Sequence, residues 1–233
     1  MANLLVIDTA TEACSVALQY QDQLFTRSKI APREHGELIL PMVDDVLSEA
    51  GIKLTQLDAI VYGQGPGAFT GLRICISVVQ GLAFGAELPV IGVSSLQAMA
   101  QAAHDRLGAD NVLAAIDARM GEVYWGQYES DANGLMQLVG QEAVCPPNLV
   151  TVSKPDSSKI YRAVGTGWQT YAKELSETIN LPTVIEKEPL YPFAEAMLPI
   201  ASVQFKQGRA ISAEQALPVY LRDNVAKKAK AKS

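Results

Sequence analysis

The sequence predicts an α/β protein of two related lobes, each a mixed sheet flanked by helices. Three observations carry that expectation. The chain twice runs through strands first and helices after, the order that builds sheet-and-helix layers. Leu4-Leu-Val-Ile-Asp8 and Leu113-Ala-Ala-Ile-Asp117 are both apolar strands ending in aspartate, 109 positions apart, and each leads through a turn to a second strand ending in tyrosine, at Tyr20 and Tyr128. A repeat of that length suggests a duplicated domain rather than a solenoid, whose periods are roughly 20 to 50 residues, with coincidence as the competing reading because an apolar strand ending in aspartate is common. Finally, 233 residues of which 48% are apolar supply material for a core in each half.

In the first half, the short apolar runs Leu4 to Asp8, Cys14 to Tyr20 and Leu24 to Lys29 predict three consecutive strands separated by polar turns. From Arg33 the spacing becomes helical: Leu38, Ile39, Met42, Val43, Val46, Leu47 and Ala50 form a stripe that stops at Gly51, with Pro41 as a bend. Ala59 to Tyr62 is a strand delivering the glycine-rich segment Gly63 to Gly71 to an almost wholly apolar helix, Leu72 to Phe84. Val90 to Val93 gives a further strand, and Ser94 or Ser95 caps a helix through Ala103.

The second half repeats the scheme with strands at Leu113 to Asp117, Glu122 to Tyr128, Leu135 to Val139 and Ile160 to Val164, and a loop through Pro146 and Pro147. Gly165-Thr-Gly-Trp168 opens a helix in which Trp168, Tyr171, Ala172, Leu175 and Ile179 share a face. The last helical segment, Pro192 to Lys206, contains Pro199, which should kink or split it. The lobes are accordingly placed at residues 1–105 and 106–233, the second ending in a basic tail, 226–233.

Composition removes several functions. The longest stretch without a formal charge, Leu88 to His104, is too short and too polar to cross a bilayer, and the start lacks a basic leader, so a cytoplasmic protein without a membrane span is expected. Cys14, Cys75 and Cys145 are odd in number and far apart, as packing thiols are in a reducing compartment. With His35 and His104 alone, a zinc hydrolase has too few ligands; His35 reads as a cap or surface contact and His104 as a helix-end residue. A net charge of −6 argues against tight nucleic-acid binding by the chain alone. Lys227, Lys228, Lys230 and Lys232 crowd the tail, which reads as a solvated end or as an auxiliary RNA contact.

The glycine segment is the sharpest local feature. Glycines between a strand and a helix N-terminus let backbone N–H groups approach an anion, and Arg73 in the first helical turn adds positive charge. Rossmann spacing would need glycine at Ala68, however, and a P-loop would need Gly-Lys-Ser/Thr where the chain has Gly71-Leu-Arg73. The competing reading is a tight turn with close helix packing. Asp8 and Asp117, at the ends of corresponding strands, are candidates for holding a metal-bound nucleotide across a cleft, yet Thr9-Ala10-Thr11 and Ala118-Arg119 stand where glycine would make room for phosphate. An ATP-dependent phosphotransferase using Asp8 and Asp117 is the alternative function. The helix Leu72 to Phe84, apolar on more than one face and notched by Gly71, Gly81 and Gly85, is either sandwiched within its lobe or shared with a partner beside the Leu38 to Leu47 stripe.

Taken together, Asp8-Thr-Ala-Thr11, Arg33-Glu-His-Gly-Glu37, Gly65-Pro-Gly-Ala-Phe-Thr-Gly-Leu-Arg73, Gly92-Val-Ser-Ser-Leu96, Asp117-Ala-Arg119 and Tyr220-Leu-Arg222 resemble the TsaB (YeaZ) family from end to end. The resemblance implies the actin-like, Hsp70-like ATPase fold of two related lobes, and a role in forming N6-threonylcarbamoyladenosine (t6A) beside the tRNA anticodon. In that family TsaD transfers the threonylcarbamoyl group, TsaE is an ATPase, TsaC supplies the activated intermediate, and the TsaB-type subunit is a non-catalytic partner of TsaD. TsaD carries a Gly-Val-Asn-His-x-x-x-His metal motif where this chain reads Gly92-Val-Ser-Ser-Leu-Gln-Ala-Met99. The two ligand positions are therefore Ser95 and Met99, neither of which replaces an imidazole in an iron or zinc site.

The resemblance thus implies a degenerate enzyme, with no catalytic residue or metal of its own. Its expected partners are TsaD and TsaE, with a homodimer when alone, tRNA engaged indirectly, and a nucleotide at the TsaD interface left open. Leu38, Met42, Val46, Arg73, Val78 and Leu82 are the candidate partner face on the first lobe, and Asp8, Thr9, Gly65, Gly67 and Asp117 a vestigial nucleotide cleft. Two departures from the family pattern are Gly36 after His35, where Ser is frequent, and Pro199 in the late helix.

Overall fold

The computed structural model describes residues 2–222. Five strands make the first sheet: β1 (Leu4–Asp8), β2 (Ala13–Tyr20), β3 (Gln23–Ile30), β4 (Ala59–Gly65) and β5 (Val90–Ser94), in the order β3-β2-β1-β4-β5. The second sheet contains β6 (Asn111–Arg119), β7 (Glu122–Ser130), β8 (Met136–Leu138), β10 (Tyr161–Val164) and β11 (Thr183–Ile185), in the order β11-β10-β6-β7-β8. β9 (Ala143–Cys145) pairs with β7 outside that path. In both sheets the first strand lies antiparallel to the second and parallel to the fourth, and the fourth lies parallel to the fifth. The repeat read from the sequence is therefore a repeat of topology.

Among the described residues five α-helices complete the layers: α1 (His35–Ala50), α2 (Phe69–Ala86), α3 (Ser95–Leu107), α4 (Thr166–Ile179) and α5 (Ala194–Lys206). Strand alternation sends successive side chains to opposite faces. Leu5 and Ile7 pack with Ile39, Val43 and Val46 of α1 and Cys75, Val79 and Ala83 of α2. Leu4 and Val6 face the other way, onto Ala194, Met197 and Ile200 of α5. In the second sheet Leu113 and Ala115 meet Trp168 and Leu175 of α4, while Val112, Ala114 and Ile116 meet Leu96, Met99 and Ala103 of α3.

The inner helices are exchanged. α3 follows the last strand of the first sheet but covers the second, and α5 follows the last strand of the second sheet but covers the first. The two helices pack against each other between the sheets. A cut at 105/106 consequently separates the sheets without separating the cores.

Other departures from expectation have local causes. α5 runs through Pro199 without splitting; Pro199 is exposed, where water can take the carbonyl that a proline leaves without a donor. α2 begins at Phe69, ahead of its continuous apolar run, so Phe69 and Thr70 belong to the helix. β9 and β11 have three residues each, too short to show alternation. The basic tail 226–233 lies outside the described residues.

Candidate functional site

The glycine segment is pressed against the turn that follows β1. Ala68 N–H donates to the Ala10 carbonyl at 2.7 Å, and the Thr9 hydroxyl donates to the Gly71 carbonyl at 2.8 Å. A Cβ on Gly67 would run into the Ala10 carbonyl, and one on Gly71 into that of Thr9. These glycines serve the close approach of two backbone segments of the same chain. Thr9 and Ala10 occupy the place that the glycine pattern would offer to an anion.

Asp8 departs from its expected place in the cleft. It shares the face of β1 that carries Leu4 and Val6, so it turns inward beside Gly63 and Met197 and is fully buried. Its Oδ2 is 3.4 Å from the Ala10 N–H, and its Oδ1 has no hydrogen-bond partner among the described residues. Burial pushes its carboxyl from the usual value near 3.8 up to about 8, which keeps it largely protonated at neutral pH. A neutral, enclosed carboxyl is unsuited to a hard cation.

A cleft of about 350 Å³ does open between the lobes, and Gly67 and Asp117 lie on it together with Thr11, Phe69, Tyr124 and Tyr220. Asp8, Thr9 and Gly65 do not line it: Thr9 is buried under Gly71, and Gly65 backs onto Leu72 and the Val219 carbonyl. The Asp117 carboxylate closes on its own turn, accepting from the Arg119 N–H at 2.8 Å and the Arg119 guanidinium at 3.0 Å. Of the five residues expected to share a nucleotide cleft, two do so.

The positions read as lost metal ligands are core positions. Ser94, not Ser95, caps α3, its Oγ accepting from the N–H groups of Leu96 and Gln97 at 3.2 and 3.3 Å. Ser95 is fully buried, and Met99 packs beneath Gly165. Among the described residues, no three His, Cys, Asp or Glu side chains stand together as a metal site. Ser94 also donates to Glu142 Oε1, as does the Tyr128 hydroxyl; burial raises the Glu142 pKa, and those two donors oppose the rise. His35 is buried rather than a surface contact, with Nε2 2.8 Å from the Thr11 carbonyl, and His104 Nδ1 is 3.1 Å from the Ala109 carbonyl.

The expected partner face divides. Arg73 is exposed, and Leu38, Met42, Val78 and Leu82 are half-buried at the margin of the core beneath α1 and α2. Val46 is a correction: with Ile39 and Val43 it forms the inward line of α1 and is fully buried. The strongly exposed apolar side chains on these helices are Leu40, Phe69 and above all Phe84, at 73%. In the sequence Phe69 reads as loop and Phe84 as the last residue of a buried helix, so neither stands out as exposed. α2 is apolar and long enough by length and composition to cross a membrane, with a third of it buried. It lies on the first sheet through Leu72, Cys75, Ile76, Val79 and Ala83. The Arg73 guanidinium sits 3.8 Å from the centre of the Phe69 ring, and the Tyr220 ring lies 5.4 Å from the same ring.

Comparison with known proteins bears on the whole chain. Residues 27–230 match the family model described as TsaD, tRNA N6-adenosine threonylcarbamoyltransferase. The chain is 51% identical to the tRNA threonylcarbamoyladenosine biosynthesis protein TsaB of Escherichia coli (strain K12) over 96% of both chains. It is 42% identical to the protein of the same name from Haemophilus influenzae, over 95% of this chain and 94% of that one. The solved structure of YeaZ from Pseudomonas aeruginosa, 48% identical, superposes with a TM-score of 0.88 over 95% of this chain and 100% of that one. Identity at this level along nearly the full length, on a duplicated two-sheet topology, shows that the chain belongs to the TsaB (YeaZ) family, of the actin-like, Hsp70-like ATPase fold class.

Proposed function

We propose that the chain is a non-catalytic, activating subunit in the formation of t6A on tRNA, and that it acts by docking its α1–α2 face on the transferase TsaD. The observation that carries this is the uncovered outer side of α2, where Phe84 and Phe69 stand in solvent beside Arg73 and the half-buried Val78 and Leu82. Aromatic and arginine side chains around small residues make a surface that gains by being covered. Gly81 and Gly85, where a Cβ would meet nothing within the chain, leave room for a partner helix to approach closely.

The absence of catalysis is supported by the same geometry. The turn after β1 fills the glycine loop, Asp8 is enclosed and largely neutral, and Ser95 and Met99 occupy core positions. TsaE as a further subunit, a homodimer through the same face when TsaD is absent, and a cytoplasmic location belong to this reading. With a net charge of −6, tRNA is held mainly by the assembled complex. No cofactor is assigned to the chain alone.

Reconstitution tests the proposal: tRNA modification by TsaD, TsaE and the intermediate-forming enzyme is measured with and without the chain. Modification that needs the chain, and that the chain alone does not perform, supports it. Full modification in its absence overturns it.

A further inference from the structure

Residues 217–222 tie the two lobes together along the cleft. On the first-lobe side the Val219 N–H donates to the Gln64 carbonyl at the end of β4, 2.8 Å away, and the Tyr220 ring rests on Phe69 of α2. On the second-lobe side Arg222 holds the turn between β6 and β7. Its Nε donates to Glu122 Oε2 at 3.0 Å, Nη2 donates to the same carboxylate, and Nη2 lies 3.4 Å from the Arg119 carbonyl. The Arg222 side chain is 17% exposed, so this pair is better shielded than an ordinary surface ion pair. Among the described residues Arg119 also pairs with Glu12 across the cleft at 3.5 Å, through a guanidinium that is 74% exposed and holds little by itself.

Phe69 connects this strap to the outside of α2. It lines the cleft with Tyr220 and Arg222, and it also lines the shallow hollow on the outer side of α2 with Arg73 and Val78. A protein seated on the first turns of α2 meets Phe69, against which the Tyr220 ring rests, and Arg73 beside it.

We propose that residues 217–222 are an inter-lobe latch, closed in the free chain and released when a partner covers the first turns of α2. This rests on the reading that α2 is the partner face. The partner competes for the Phe69 ring, Tyr220 leaves, and the Val219 and Arg222 contacts lose their common support. Because the coupling is reciprocal, weakening the latch tightens partner binding.

Hydrogen exchange on the full chain, read by mass spectrometry, tests both parts. In the free chain, Tyr220→Ala and Arg222→Gln should each speed exchange in residues 217–222 and in the 117–122 turn by about tenfold, while Tyr220→Phe, which keeps the ring contact, should not. Adding TsaD to the wild-type chain should speed exchange in 217–222, and Tyr220→Ala should bind TsaD several-fold more tightly. Unchanged exchange in both Tyr220→Ala and Arg222→Gln overturns the latch. The partner face is tested separately with Val78→Asp. If that variant, folded by circular dichroism, still binds TsaD, the partner-face reading falls and the coupling with it. If it loses TsaD while wild-type exchange in 217–222 stays the same or slows on adding TsaD, the face stands and the coupling is overturned.

Discussion

The Thr9 hydroxyl donates to the Gly71 carbonyl at 2.8 Å, joining the turn after the first strand to the first turn of α2 across 62 positions of sequence. Beside it, the Thr9 carbonyl leaves no space for a side chain at Gly71, and the Ala10 carbonyl leaves none at Gly67. Gly67→Ala and Gly71→Ala should each lower stability by about 1–3 kcal/mol, read as a reduced urea midpoint. Gly81→Ala and Gly85→Ala, in open helix positions, should instead raise it by about 0.5–1 kcal/mol. Equal effects from the two pairs would contradict the backbone contact.

Asp8 gives the chain a pH dependence of definite sign. Its folded pKa is raised by burial to about 8 from a usual value near 3.8, so between those values the folded state holds a proton that the unfolded state has lost. The contribution of Asp8 is most favourable below about pH 4, falls as pH rises toward 8, and levels off above that. Within the window the wild-type chain should lose stability relative to Asp8→Asn by up to about 1.4 kcal/mol per pH unit. Parallel stability curves for the two proteins from pH 5 to 8 would show that Asp8 is charged in the fold.

Ser94 holds two jobs at the start of α3, capping the helix and donating to the Glu142 carboxylate. Ser94→Ala removes both and leaves Tyr128 as the remaining side-chain donor to that oxygen. A loss of about 1–3 kcal/mol in denaturant unfolding is expected. A loss no larger than that of an exposed Ser→Ala, such as Ser77→Ala, would mean that the cluster contributes nothing net.

On the outer face, Phe84→Ser and Leu82→Asp should abolish capture of TsaD with the fold intact by circular dichroism. Val46→Ala should lower stability by roughly 1–3 kcal/mol and leave capture unchanged, because Val46 faces the sheet. Loss of capture in Val46→Ala with native stability would reverse the assignment of inner and outer sides of α1.

The sequence makes much of this architecture legible, and its blind spots have physical reasons. The apolar runs of β1 and β6 and the helical stripe of α1 place those elements to within a few residues, and Asp8 and Asp117, each after an apolar run in equivalent strands, point to the duplication. The alternation of side chains along β1 puts Asp8 on the side of Leu4 and Val6 and so away from the cleft. The division of α1 into an inward line, Ile39, Val43 and Val46, and a marginal one, Leu38 and Met42, was hidden because a wide apolar stripe does not fix the rotation of a helix about its axis. Which sheet each of α3 and α5 covers was hidden too, since an apolar face identifies no partner. The strap at 217–222 has neither period nor length to announce it; its anchors are single contacts between residues about a hundred or more positions apart.

The exchanged helices have a consequence for how the chain is made. The first sheet is complete by Ser94, but one of its faces waits for Ala194 to Lys206, and the second sheet leans on a helix laid down before its first strand. During synthesis the first lobe therefore emerges with Leu4, Val6, Ala59 and Val61 uncovered by α5, and its folding should be completed only after Ala194 to Lys206 have left the ribosome. A fragment ending at residue 105 should behave as an aggregating half-protein rather than as a free domain, and the two lobes should melt in one transition. The duplicated topology thus makes a single body, in which the last helix of each copy covers the sheet of the other.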